Sequence, residues 1–93
     1  MGGKHNVADV INGSTFVVFP QWTWRDQKGE VVRPTGYHAP EYGSEARIAK
    51  EKLSNLIMNK EIEIGVIHRV EGVMLFCDVY FQGKNLAEYF PEY

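Results

Sequence analysis

Two short stretches of this 93-residue chain hold side chains able to do chemistry. The first is the run Arg33-Pro34-Thr35-Gly36-Tyr37-His38-Ala39-Pro40-Glu41, which brings a guanidinium, a phenol, an imidazole and a carboxylate into one segment. A guanidinium neutralises phosphate oxygens, and a carboxylate either holds a hard cation or acts on a water. The second is the turn Val10-Ile11-Asn12-Gly13-Ser14-Thr15-Phe16. Arg33 and Glu41 also have the charges to form an ion pair tying a strand to the following loop. Trp22 and Trp24 alternate with Thr23, so a strand places both indoles on one face, suited to stacking on bases or anchoring a protein contact. His38 and Glu41 do not make a zinc site with His5 or His68, because no spacing gathers the four residues. Cys77 lies in an apolar segment and reads as a small core residue.

The elements that must position these residues follow from hydrophobic period. Val7, Val10 and Ile11 give a first strand after a frayed start at residues 1–4. Asn12-Gly13-Ser14 turns the chain, Asn and Gly both tolerating positive φ. Thr15 to Phe19 is a β-branched and aromatic second strand that Pro20 interrupts or bulges. The chain then runs through the Trp pair to a polar turn at Asp26-Gln27-Lys28-Gly29. Glu30 to Arg33 returns as a third strand, with Pro34 marking an edge or a bulge. Ser44 is placed to cap a helix whose buried stripe is Ala46, Ala49, Leu53, Leu56 and Ile57, closed by Asn59. Glu61 to Ile67 alternates as a fourth strand, Glu71-Gly72 turns, and Val73 to Phe81 is an apolar fifth strand. Gln82 to Asn85 breaks it, and Leu86 to Phe90 makes one short helical turn. Three strands, a helix, two strands and a terminal turn suit a five-stranded OB-type Greek-key barrel plugged by its helix.

Composition narrows the function. Hydrophobic residues make up 44% and charged residues 24%, ordinary for one globular domain spanning residues 1–93. The net charge of −2 lacks the basic excess of most nucleic-acid binders. One cysteine excludes an internal disulfide and fits a reducing compartment. The opening residues have no signal-peptide core and no apolar run reaches membrane-spanning length, so a cytoplasmic protein without membrane attachment is expected.

The order of motifs resembles the staphylococcal-nuclease (thermonuclease) family. Val10 to Phe16 is similar to its V-I-D-G-D-T-hydrophobic turn, and Arg33 to Glu41 to its R-L-x-G-I-D-A-P-E run. Tyr42-Gly43-Ser44-Glu45-Ala46 looks like the Y-G-x-E-A that begins the family's first long helix. Asp78-Val79-Tyr80 and Gly83 to Glu88 look like its fifth strand and the following G-x-N-hydrophobic-x-E start. The resemblance implies a calcium-dependent phosphodiesterase, with carboxylates on the ion, a Glu acting on water, and two arginines on the phosphate.

Carried over position by position, that machinery is incomplete. Arg33 and Glu41 stand at the family's phosphate arginine and acidic catalyst. Ser14 and His38 stand at its two metal-ligand aspartates, and Asn12 replaces a neighbouring one. Where the second arginine belongs, the chain reads Glu71-Gly72-Val73 followed by Met74, and Arg69 lies four residues away from the triplet's end. A hydroxyl and an imidazole are poor substitutes for carboxylates around calcium. The expectation is therefore a non-catalytic staphylococcal-nuclease-like domain that binds nucleic acid or protein through Trp22, Trp24, Arg33, Tyr37 and His38, without a metal or other cofactor unless the altered site still takes calcium. The alternative is a weak or altered metal-dependent phosphodiesterase using Arg33 and Glu41.

Overall fold

The computed structural model of the chain describes residues 3–93. Five strands close a barrel: β1 (Lys4–Asn12), β2 (Thr15–Trp24), β3 (Gln27–Pro34), β4 (Glu61–Glu71) and β5 (Met74–Phe81). Hydrogen-bonded neighbours run β3-β2-β1-β4-β5, and a parallel pairing of β3 with β5 joins the ends. Helix α1 (Gly43–Ile57) lies between the third and fourth strands, as the OB-type Greek-key reading expects. A two-residue strand β6 (Lys84–Asn85) pairs with β5 and leads into a 3₁₀ turn, Leu86–Tyr89. No described helix is long and apolar enough to cross a membrane.

Alternation builds the core. Along β5, Leu75, Cys77, Val79 and Phe81 point inward, while Met74, Phe76, Asp78 and Tyr80 are half-buried on the outer side. Phe16 and Val18 of β2, Val32 of β3 and Ile62 and Ile64 of β4 complete the interior. Helix α1 closes one end with Ala49, Leu53 and Ile57, while Ala46 and Leu56 of the expected stripe are only half-buried. Each such aliphatic side chain, taken from water, contributes roughly 1.5–3 kcal/mol before the entropy cost of ordering it. Asn59 ends the helix in the left-handed region at φ 63°, the conformation its short amide tolerates. Ser44 is not the cap: the helix is counted from Gly43, whose φ of 79° is left-handed backbone, and the N-cap position, Tyr42, makes no side-chain hydrogen bond.

Three other local expectations are corrected. Lys4 already belongs to β1, and the Gly3 carbonyl accepts from Ile64 N–H; Met1 and Gly2 of the expected frayed start lie outside the described residues. The β2–β3 turn falls on Arg25 and Asp26, with Arg25 at φ 58°, so Gln27, Lys28 and Gly29 are strand residues opposite Trp24, Thr23 and Trp22. Gly29 lies under Trp22, where a Cβ would stand 2.7 Å from the indole ring. Its missing side chain makes room for the ring rather than freedom for a turn. The Gly13 turn works similarly, since a Cβ there would lie 2.6 Å from Ala49 Cβ and 2.8 Å from Ala39 Cβ. The turn is pressed against α1, which sets how the candidate site meets the helix.

Candidate functional site

Arg33, near the end of β3, lies across the barrel rim from the β1–β2 turn. Its Nη1 donates to Thr15 Oγ1 at 3.1 Å and its Nη2 to Glu41 Oε2 at 2.9 Å. The Arg33 side chain is 20% exposed and that of Glu41 41%, so the pair is partly shielded from water. Thr15 itself is buried. The guanidinium is thus held between a strand hydroxyl and the loop carboxylate, and both named partners are protein groups.

Tyr37 follows on the same loop but points inward. Its ring stacks on Phe90 with centroids 4.6 Å apart and planes 7° from parallel, and its hydroxyl donates to the Gly13 carbonyl at 2.9 Å. Burial pushes the phenol's pKa well above its ordinary value, the nearby Arg33 charge offsetting this in part. Tyr37 is therefore a strut between the two motifs and has no free face for a ligand. Trp22 is likewise withdrawn: its indole is 1% exposed and its Nε1 donates to the Val31 carbonyl at 2.9 Å. The stacking surface expected from Trp22 and Trp24 is not formed, because the Trp22 ring is core, and Tyr37 of the expected binding set is core as well. Trp24 remains half-buried at the hairpin tip, with the Arg25 guanidinium 4.3 Å from its ring centre.

The residues at the family's metal positions do not fit calcium. Ser14 is 1% exposed, its N–H donates to Asn12 Oδ1 at 2.9 Å, and its hydroxyl lies 3.5 Å from the same oxygen. This is an Asx turn that uses the Asn12 amide oxygen internally. His38 is exposed and its backbone N–H donates to the Tyr93 carbonyl at 3.4 Å. Glu41 is the single carboxylate in the set and is bonded to Arg33. Calcium takes six to eight oxygen ligands, several of them anionic. Nor do the histidines meet: His5 Nδ1 lies 2.8 Å from the Pro20 carbonyl and His68 pairs with Asp78. Among the described residues no three His, Cys, Asp or Glu side chains are grouped to hold a metal ion.

Arg69 is better placed than its sequence offset indicated. Phe76 of β5 is the register partner of both Arg33 on one side and Arg69 on the other. Two strand spacings, roughly 10 Å, therefore separate the arginine backbones. Arg69 stacks 4.0 Å from the Phe76 ring and donates through Nε to Glu71 at 2.7 Å. Beside this row, Asp78 Oδ1 accepts from Thr35 Oγ1 at 2.6 Å and lies 3.0 Å from His68 Nε2. The Thr35 hydrogen bond, then that of His68, holds the Asp78 carboxyl below the usual carboxylate range. The face thus matches Arg33 with Glu41, Arg69 with Glu71 and His68 with Asp78. Cys77, beneath it, is fully buried, and burial followed by the Asp78 charge pushes its thiol up to about 12, far from a reactive thiolate.

A second feature went unread in the sequence. An open groove of about 650 Å³ runs between Trp24 and Tyr80 over Glu63, Ile64, Gly65, Val66 and Ile67. Gly65 inside the alternating β4 was its signal, since an isolated strand glycine marks a bulge or a close approach. Here the register with β5 slips by one residue between Ile64 and Ile67, and a Cβ on Gly65 would lie 2.7 Å from the Tyr80 ring.

No protein-family model matches the chain, and no curated protein matches it.

Proposed function

We propose that this chain is a staphylococcal-nuclease-like barrel without catalysis, serving as a binding module for protein rather than nucleic acid. The observation that carries the reading is the closed clamp at Arg33, where Thr15 and Glu41 engage the guanidinium and Glu41 is the only carboxylate in the candidate metal set. A nuclease of that kind needs the carboxylate on metal or water and the guanidinium on phosphate. Here each occupies the other, and no second carboxylate stands at Ser14 or His38. A fold and the site grafted on it are separable, so retaining the barrel does not require retaining the reaction.

Protein is favoured as the target because the electrostatics do not suit a phosphate backbone. The net charge is −2, and on the β3–β5–β4 face Arg33 and Arg69 each have an acidic partner, with His68 against Asp78. Binding to nucleic acid draws on unpaired Lys and Arg that displace counterions. Cytoplasmic residence accompanies this reading, consistent with a lone buried cysteine.

The test is cleavage of a labelled single-stranded DNA oligonucleotide in calcium and in manganese, comparing the chain with Glu41→Gln. No turnover by either is expected. Turnover abolished by Glu41→Gln would replace this reading with the altered phosphodiesterase that uses Arg33 and Glu41.

A further inference from the structure

The groove beside Trp24 is continuous with an open strand edge. β1 pairs with β4 only from Lys4 opposite Glu63 to Asn6 opposite Glu61, extended by the Ile64 N–H to Gly3 carbonyl bond. Beyond that point β4 continues to Glu71, and among the described residues only β5 pairs with it there. Among the described residues no strand pairs with that side of the backbone from Gly65 onward, and its N–H and C=O groups are a template for an added strand. A smaller cavity lined by Trp22, Thr23, Ile64, Ile67 and Leu75 adjoins the groove through Ile64 and Ile67. The apolar floor thus follows the line that β1 would take if it ran further.

Charge selects among occupants. A third, polar cavity shares Glu63, Tyr80 and Gly83 with the groove and adds Glu61 and Lys4. Among the described residues neither Glu61 nor Glu63 makes an ion pair, although Lys4 is the register partner of Glu63. Arg25 is engaged on Trp24. An aromatic pair next to unpaired carboxylates recognises a cation carried on an apolar stem, through ring faces and charge together. An anionic strand would meet Glu61 and Glu63 instead.

Resting on the protein-binding reading above, we infer that the partner supplies an extended segment, apolar with lysine or arginine, which adds as a strand to the β4 edge. Its backbone pairs with the chain between Gly65 and Val70. Its apolar side chains fill the groove between Trp24 and Tyr80, and its cation lies at Glu63. Val66, 61% exposed, sits near the start of this edge and is covered on binding.

The probe is a short capped peptide alternating valine and lysine, titrated into the labelled chain by NMR, with a valine–glutamate peptide and a centrally proline-substituted peptide as controls. Expected are shifts at the Gly65 to Val70 amides and the Trp24 indole with the lysine peptide alone, several-fold weaker with Glu63→Lys. Val66→Pro, which removes one backbone donor at an exposed position, abolishes them; Trp24→Ala weakens them and checks the groove should the proline variant fail to fold. Absence of shifts, equal shifts with the glutamate or proline peptide, the same shifts with an oligothymidylate, or the same shifts on raising protein concentration alone would each overturn the proposal. The last two outcomes would assign the groove to nucleic acid or to a second copy. DNA cleavage would overturn the non-catalytic reading and leave the peptide result standing, so the two failures are distinguishable.

Discussion

The clamp around Arg33 and the groove around Trp24 lie on one small barrel and are finished to different degrees. At the clamp, Arg33 bonds Thr15 and Glu41, Tyr37 bonds Gly13, and Ser14 bonds Asn12. At the groove, among the described residues, two glutamates lack ion-pair partners and a strand edge has no paired neighbour, and an aromatic is half-buried. A region whose polar groups satisfy each other resists rearrangement, because a new ligand must first break existing bonds. A region with exposed apolar area and unmet hydrogen-bonding groups gains from a partner. The residues that look most chemical in the sequence are thus the ones the fold has used up.

The sharpest contrast is between two tryptophans two residues apart. Trp22→Ala is expected to cost about 3–5 kcal/mol, the range for truncating a fully buried large aromatic, measured by denaturant unfolding. Trp24→Ala, at the half-buried rim, should cost well under half of that and act on peptide binding instead. Equal losses would erase the distinction between core and groove.

Next in size is Tyr37→Phe, which leaves the Gly13 carbonyl without its buried donor. A loss of about 1–3 kcal/mol is expected, accompanied by faster amide exchange in the Asn12–Thr15 turn. A neutral result would show that the hydroxyl does not tie the two motifs together.

Breaking the clamp electrostatically should do less. Glu41→Gln removes the charge but keeps the shape, and because the carboxylate is 41% exposed the loss should stay near 0.5 kcal/mol or below. That loss should shrink further in high salt.

The smallest effect is one of pH. The Asp78 pKa is lowered in the fold, so its contribution is fully present above the ordinary aspartate pKa of about 4. It is lost as pH falls through the lower folded value. Thr35→Val removes the largest cause of the shift and should flatten the acid limb of the stability profile. An unchanged limb would assign the acid sensitivity to other carboxylates.

Much of the barrel was legible because it rests on period. The alternation of β5, that of β4 as far as Ile64, and the Ala49, Leu53, Ile57 stripe depend on neighbours in sequence, and the structure keeps them. What failed depends on neighbours in space. Gln27, Lys28 and Gly29 are residues typical of turns, yet Gln27 and Lys28 are exposed strand residues next to the hairpin turn and Gly29 yields space to Trp22. Alternation placed Trp22 and Trp24 on one face without telling where along the strand the interior ends. Arg69 looked displaced because residues along the chain do not measure distance across β5, whereas register does. At the candidate site, residue types were enough to doubt calcium. The charges of Arg33 and Glu41 suffice to read their pairing, but Thr15 as the third member depends on the fold.

The most direct test of the closed clamp is an amide-resolved NMR titration with calcium. Residues 12–15 and 37–41 are expected not to shift at millimolar calcium. Saturable shifts confined to those residues would contradict this, showing that Glu41 leaves Arg33 for a metal ion and that the clamp is a working site.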